Sequence, residues 1–185
     1  GIRMPRVPRT EFRLPTPDEV RRLLTQIQRQ RPWMYPICVT LLFTGGRLGE
    51  ILSLDWSQVD LASGQLRLVR TNVDDIHAIP IAKQLKGVLW EHWMKAGMPK
   101  KGPVFLSQMG RPYTTRRVYL GFRPVAERLE MPWFTLKTFR RRAATSARLS
   151  PLGMRAAQML LGHTEESTTS LYLGDTDLAK QSAVE

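Results

Sequence analysis

Cysteine is almost absent. The 185-residue chain has one, Cys38, inside the apolar run Ile37-Cys38-Val39. No internal disulfide can staple the fold, and the expectation is a reducing, cytoplasmic compartment. No run approaches the ~18 apolar residues that mark a membrane-crossing helix, and no secretory signal pattern opens the chain, so no membrane partner is expected. Histidine is scarce too. His77, His92 and His163 lie far apart, with neither Cys-x-x-Cys nor His-Glu-x-x-His, so no protein-built zinc site is expected. Acidic residues are outnumbered, 16 against 28 lysines and arginines, for a net charge of +12. Such a field favours polyanions, nucleic acid first. A merely basic soluble protein would carry the same charge, so charge alone does not decide.

The length fits one domain with a short arm. Residues 1–15 interleave Arg3, Arg6, Arg9 and Arg13 with Pro5, Pro8 and Pro15, which reads as an extended basic arm or linker. The domain proper is expected over 16–175, with a tail at 176–185. Thr16-Pro17-Asp18-Glu19 is a helix start with a capping box, and Val20, Leu23, Leu24 and Ile27 share one face. Residues 33–43 are nearly all apolar and predict a buried helix. It stops at Thr44-Gly45-Gly46-Arg47, a glycine turn that sets Arg47 at the start of the next helix with Glu50 three residues on. Two readings of Arg47 stand here: a functional arginine held in a turn, or a helix-terminal arginine paired to Glu50 for structure.

Alternation over 65–69 and 76–81 predicts two strands of a small antiparallel sheet. A helix is expected over 83–95, with Leu85, Val88, Leu89 and Trp93 on one face and Trp90 widening it. Val104-Phe105-Leu106 reads as a short buried segment. Another helix should run from Thr114 or Thr115 to about Leu129, and one more from near Thr135. The fold class is therefore mainly α with a small antiparallel β-sheet. Lys137 and Arg140 share a face of the last of these helices, and three consecutive arginines, 140–142, must fan out so that at least one points inward. Ser150-Pro151 starts a further helix, ended by Gly162 before His163. A final helix would present Tyr172.

These residue types suit one chemistry. Arginine forks bind phosphate in bidentate fashion and stay charged. A tyrosine, once deprotonated, can attack phosphorus, and histidine can donate to phosphate or shuttle a proton. The motifs Thr44-Gly45-Gly46-Arg47-Leu48-Gly49-Glu50, Lys137-Thr138-Phe139-Arg140, Leu160-Leu161-Gly162-His163 and then Tyr172 occur in that order. In these motifs the chain resembles the catalytic domain of the tyrosine recombinases, or phage integrases, from about residue 16 to 175. The resemblance implies the helical fold of that domain, with Arg47 and Arg140 clamping the scissile phosphate and Glu50 supporting Arg47. His163 would hydrogen-bond the phosphate, and Tyr172 would form a 3′-phosphotyrosyl intermediate. It further implies double-stranded DNA as partner, a homotetramer on DNA, no metal or nucleotide, and a bacterial or phage-encoded setting.

Two positions depart from the family's pattern. The histidine usually found three before the second arginine is Lys137, which can donate to phosphate but is less suited to accepting a proton. The lysine of the small sheet's turn, the family's acid for the leaving oxygen, aligns with Asn72, and no lysine occurs between Leu61 and Ala82. Arg70, Lys83 and Lys137 are the candidates to replace it. Candidates for contacting DNA are Arg70, Asn72, Lys83, Arg116, Arg117 and Arg141. For Arg116 and Arg117, beside Tyr113 and Tyr119, a solvated surface is the competing reading. The rival functions are a DNA-binding relative with weakened or lost cleavage, and a metal-dependent nuclease, for which no separated carboxylate set is identifiable. A helix bundle in which Tyr172 merely packs would need four motif matches in register by chance.

Overall fold

Helix α2 (Tyr35–Thr44) is apolar around its whole circumference, and the fold buries it accordingly. Ile37, Cys38, Val39, Thr40, Leu41 and Thr44 are all buried, and α2 is packed by helices before and after it in the chain. In the computed structural model, which describes residues 13–69 and 76–149, α1 (Pro17–Gln30) precedes it. Then come α3 (Leu48–Leu52), the strands β1 (Val59–Asp60), β2 (Gln65–Val69) and β3 (Ile76–Pro80), and the helices α4 (Lys83–Lys95), α5 (Thr115–Arg128) and α6 (Leu136–Arg148).

Local chemistry accounts for the boundaries. The Thr16 hydroxyl accepts from the Glu19 amide, and the Glu19 carboxylate accepts from the Thr16 amide at 2.8 Å, the reciprocal cap expected for α1. Its inward face is Val20, Leu23 and Ile27. Pro36 lies in the first turn of α2, where the missing amide hydrogen costs nothing. Thr114 caps α5 by accepting from the Arg117 amide at 3.2 Å. Thr135 stands before α6, its amide donating to the Thr138 hydroxyl at 3.0 Å.

The sheet is antiparallel in the order β1-β2-β3. Leu66 pairs with Ile79 and Leu68 with His77. Leu66, Leu68 and Ile79 are buried, so the inward face of the hairpin is the apolar one that alternation predicts. The third strand, β1, was not expected. Two residues are too short to show alternation, and only its pairing with β2 defines it.

Two further expectations need correction. Trp90 does not widen the buried face of α4: it is 48% exposed, its ring tilted against Trp93. Leu106 is exposed while Val104 and Phe105 are buried, because the segment makes only isolated bridges rather than a strand. Arg13, within the expected arm or linker, makes contacts to the domain. It pairs with Glu19, and its guanidinium lies 4.4 Å from the centre of the Trp133 ring. The helices expected after Ser150 lie outside the described residues.

Helix α6 is anchored against α2 and meets α5 through Phe122 and Phe139. Phe139, fully buried, meets Phe134 with ring centroids 5.1 Å apart and Phe122 at 6.0 Å, both edge-on. This geometry suits the aromatic quadrupole. Phe139→Ala is expected to lower the unfolding free energy by about 3–5 kcal/mol, read from urea denaturation; a loss below ~1 kcal/mol would show that the cluster does not hold α6.

Candidate active site

The site begins at the end of α2. Thr44 is the last helical residue, and Gly45 follows in the left-handed region at φ 61°. Its amide donates to the Leu41 carbonyl at 3.0 Å, closing the helix in the way glycine allows. Gly46 then sits where an added Cβ would come within 2.8 Å of the Ile51 side chain and 3.0 Å of Leu68. The turn is thus pressed onto α3 and the sheet, and Arg47 emerges at the N-cap of α3 in extended conformation.

Glu50 fixes Arg47 twice. Its carboxylate accepts from the Arg47 amide at 2.8 Å and from Nη1 of the guanidinium at 2.7 Å. The Glu50 side chain is 4% exposed, whereas that of Arg47 is 40% exposed. One end of the pair is therefore in the protein and the other reaches solvent. The structural pairing anticipated for Arg47 is present, and it leaves the guanidinium at the surface.

Arg140 comes from the other direction. Of the three consecutive arginines in α6, it is the one turned inward, 5% exposed, while Arg141 and Arg142 are half-buried. Its Nη1 donates to the Gly45 carbonyl. A cation on α6 is therefore hydrogen-bonded to the turn that carries Arg47, across 95 residues of sequence. Such a bond to a charged donor is stronger than its neutral counterpart. Lys137, one turn earlier on α6, is exposed.

Arg47, Glu50 and Arg140 are thus brought to one turn. Among the DNA-contact candidates, Lys83 opens α4, and Arg116 and Arg117 lie in the first turn of α5; all three are exposed. Arg117 is not merely solvated, since its guanidinium lies 5.8 Å from the centre of the Trp33 ring, which itself stacks on Tyr113 at 4.5 Å. Arg70, Asn72, His163 and Tyr172 lie outside the described residues. The residues that sequence reasoning passed over are Gly45, for its carbonyl, and Thr44. Both sit in the quoted glycine motif, but a carbonyl acceptor has no side-chain signature.

The remaining titratable candidates have structural roles. Burial pushes the Cys38 thiol well above its ordinary range, which leaves it inert. Burial lowers the pKa of His92, whose Nε2 donates to the Val104 carbonyl at 2.8 Å. Among the described residues, no group of three or more His, Cys, Asp or Glu side chains could hold a metal.

Comparison with known proteins gives the family and the fold. The family model described as "Phage integrase family" matches residues 14–178, and the chain belongs to that family. The sequence is 32% identical over 133 residues to the tyrosine recombinase XerC of Pseudomonas aeruginosa, over 70% of this chain and 43% of that protein. The XerC of Pseudomonas fluorescens is 31% identical over 131 residues, covering 69% of this chain and 43% of the relative. The chain thus spans less than half the length of these relatives. The crystal structure of XerA recombinase superimposes with a TM-score of 0.80 at 23% identity, over 97% of this chain and 65% of that one. The Tn1549 transposon integrase, solved in complex with transposon right end DNA, gives 0.76 at 19% identity, over 95% and 66%. These structures share the fold.

Because Glu50 is buried and accepts two bonds from one arginine, its charge matters more than its shape. Glu50→Gln is expected to cost about 1–3 kcal/mol in chemical denaturation, while Arg47→Lys, which keeps a cation but loses the fork, should cost less. Equal stability of Glu50→Gln and the unaltered chain would contradict the pairing described.

Proposed function

We propose that this chain is the catalytic domain of a site-specific DNA recombinase that breaks and rejoins double-stranded DNA through a 3′-phosphotyrosyl intermediate. The observation that carries the proposal is the joining of Arg47 and Arg140 at one turn, in a chain of net charge +12 that belongs to the phage integrase family. Two guanidinia offered from different helices suit the non-bridging oxygens of one phosphate. Donors fixed before the reaction are each worth roughly 3–4 kcal/mol in such a transition state.

In this mechanism the Tyr172 oxygen attacks phosphorus and the bond to the 5′ oxygen breaks. The leaving oxygen takes up a proton, and the phosphate stays on Tyr172 as a diester. The bond energy is retained, so attack by a 5′ hydroxyl of a partner strand reverses the chemistry and completes exchange. His163 hydrogen-bonds the phosphate. Lys137, exposed at the start of α6 one turn from Arg140, is the described lysine best placed in sequence to donate to it. Lys83, Arg116 and Arg117 open α4 and α5 with exposed side chains, which suits contact with DNA phosphates. Arg141, Arg70 and Asn72 complete the proposed contact set. In the same reading, residues 16–175 form the catalytic unit, 1–15 an arm and 176–185 a tail, working as a tetramer on DNA in the cytoplasm.

The second reading, a relative that binds DNA but cleaves weakly, is favoured by one observation: Asn72 stands where the family's lysine is expected, and general acid catalysis is typically worth ~10²–10⁴-fold. One experiment separates the two. The chain is incubated without metal with nicked duplexes randomised across the central segment, and products are resolved under denaturing conditions. The active reading predicts a covalent protein–DNA adduct that Tyr172→Phe abolishes. Salt-sensitive DNA binding with no adduct would establish the weakened relative, and an adduct surviving Tyr172→Phe would remove Tyr172 as nucleophile.

A further inference from the structure

Thr44 lies between the two arginines in the hydrogen-bond network. Its side chain is fully buried. The hydroxyl donates to the Thr40 carbonyl at 2.6 Å and accepts from the Gly46 amide at 3.2 Å. Thr40 repeats the first of these bonds one turn earlier, its hydroxyl donating to the Pro36 carbonyl at 2.7 Å. In α2 the two threonines thus tie their side chains to the helix backbone, and only the second also holds the residue beyond the helix.

That second bond matters because of how α2 ends. When a helix closes through one left-handed residue with a single amide-to-carbonyl bond, the next amide has no helical acceptor. Here that amide belongs to Gly46, which is buried. The Thr44 hydroxyl supplies the acceptor. Without it, a buried donor is left unsatisfied, which the protein relieves by rotating the Gly45–Gly46 peptide. That peptide carries the Gly45 carbonyl to which Arg140 is bonded, and the next one delivers the Arg47 amide to Glu50. A single hydroxyl therefore sets the direction of both arginines.

We infer that Thr44 is a positioning residue for phosphate capture, acting through the Gly45–Gly46 peptide on Arg140 and Arg47. This rests on the reading of the two arginines as a phosphate clamp. It adds a requirement the clamp itself does not contain: loss of a buried hydroxyl that contacts no substrate should weaken anion binding in the folded protein.

The test compares Thr44→Val, which keeps the volume and branching but removes the hydroxyl, with Thr44→Ser, which keeps the hydroxyl. Thr44→Ala gives a second route to the hydroxyl-free state if valine impairs folding. Arginine side-chain resonances of Arg47 and Arg140 are recorded by NMR well below the melting temperature, first in phosphate-free buffer and then during titration with inorganic phosphate. Without phosphate, removing the hydroxyl should shift the Arg140 guanidinium signals and accelerate Gly46 amide exchange, and serine should restore both. With phosphate, the hydroxyl-free variants should bind about fivefold to tenfold more weakly, as for one net hydrogen bond, and serine within about twofold of the unaltered chain.

A lower melting temperature with unchanged Arg140 signals and unchanged phosphate affinity would make Thr44 merely structural and overturn the inference. So would a serine variant as impaired as valine. If the unaltered chain gives no saturable phosphate response at Arg47 and Arg140, the clamp reading fails. The phosphate-free spectra then still decide whether Thr44 orients Arg140.

Discussion

A buried arginine is costly unless its charge is met, and in this molecule the Arg140 guanidinium is met by a backbone carbonyl of a glycine turn. That bond sets conditions on much of the chain. Gly45 must take the left-handed conformation, so that α2 ends and its carbonyl turns towards α6. Helix α6 must lie against α2, while the Phe122, Phe134 and Phe139 rings tie it to α5. The turn must sit close against Ile51 and Leu68, so no side chain fits at Gly46 without displacing the core. Packing, backbone conformation and charge placement therefore converge on a few residues.

The two arginines are held differently, and the difference has chemical sense. Arg47 is half in solvent and anchored by a buried carboxylate, while Arg140 is interior and anchored by a neutral carbonyl. A carboxylate beside Arg47 offsets part of its charge. The carbonyl beside Arg140 fixes the direction of a guanidinium held in a poorly screened place, where charges interact strongly. Preorganisation of this kind places the cost of orienting dipoles and cations in folding rather than in the reaction step.

Much of this was legible from residues. Thr16 and Glu19 announced α1, the uninterrupted apolar run announced a buried α2, and Gly45-Gly46 announced the turn that delivers Arg47. Three adjacent arginines on one helix required an inward one. What the sequence could not reveal has physical reasons. Which arginine turns inward depends on the phase of α6 against α2, which local pattern does not fix. Its acceptor is a backbone atom 95 residues away, invisible to any side-chain motif. β1 exists only through pairing. Trp90 and Leu106 look like core residues by hydropathy, yet lie on the outer side of α4 and on an irregular loop, where apolar residues also occur.

Whether one phosphate is held by both arginines at this turn can be seen in the structure of the chain trapped on a nicked duplex. The proposed clamp requires non-bridging oxygens of a single phosphate within hydrogen-bond distance, about 3 Å, of both the Arg47 and the Arg140 guanidinia, with the Gly45 carbonyl still bonded to Arg140. A scissile phosphate that contacts neither arginine, or an Arg140 that abandons Gly45 when DNA is bound, would contradict it.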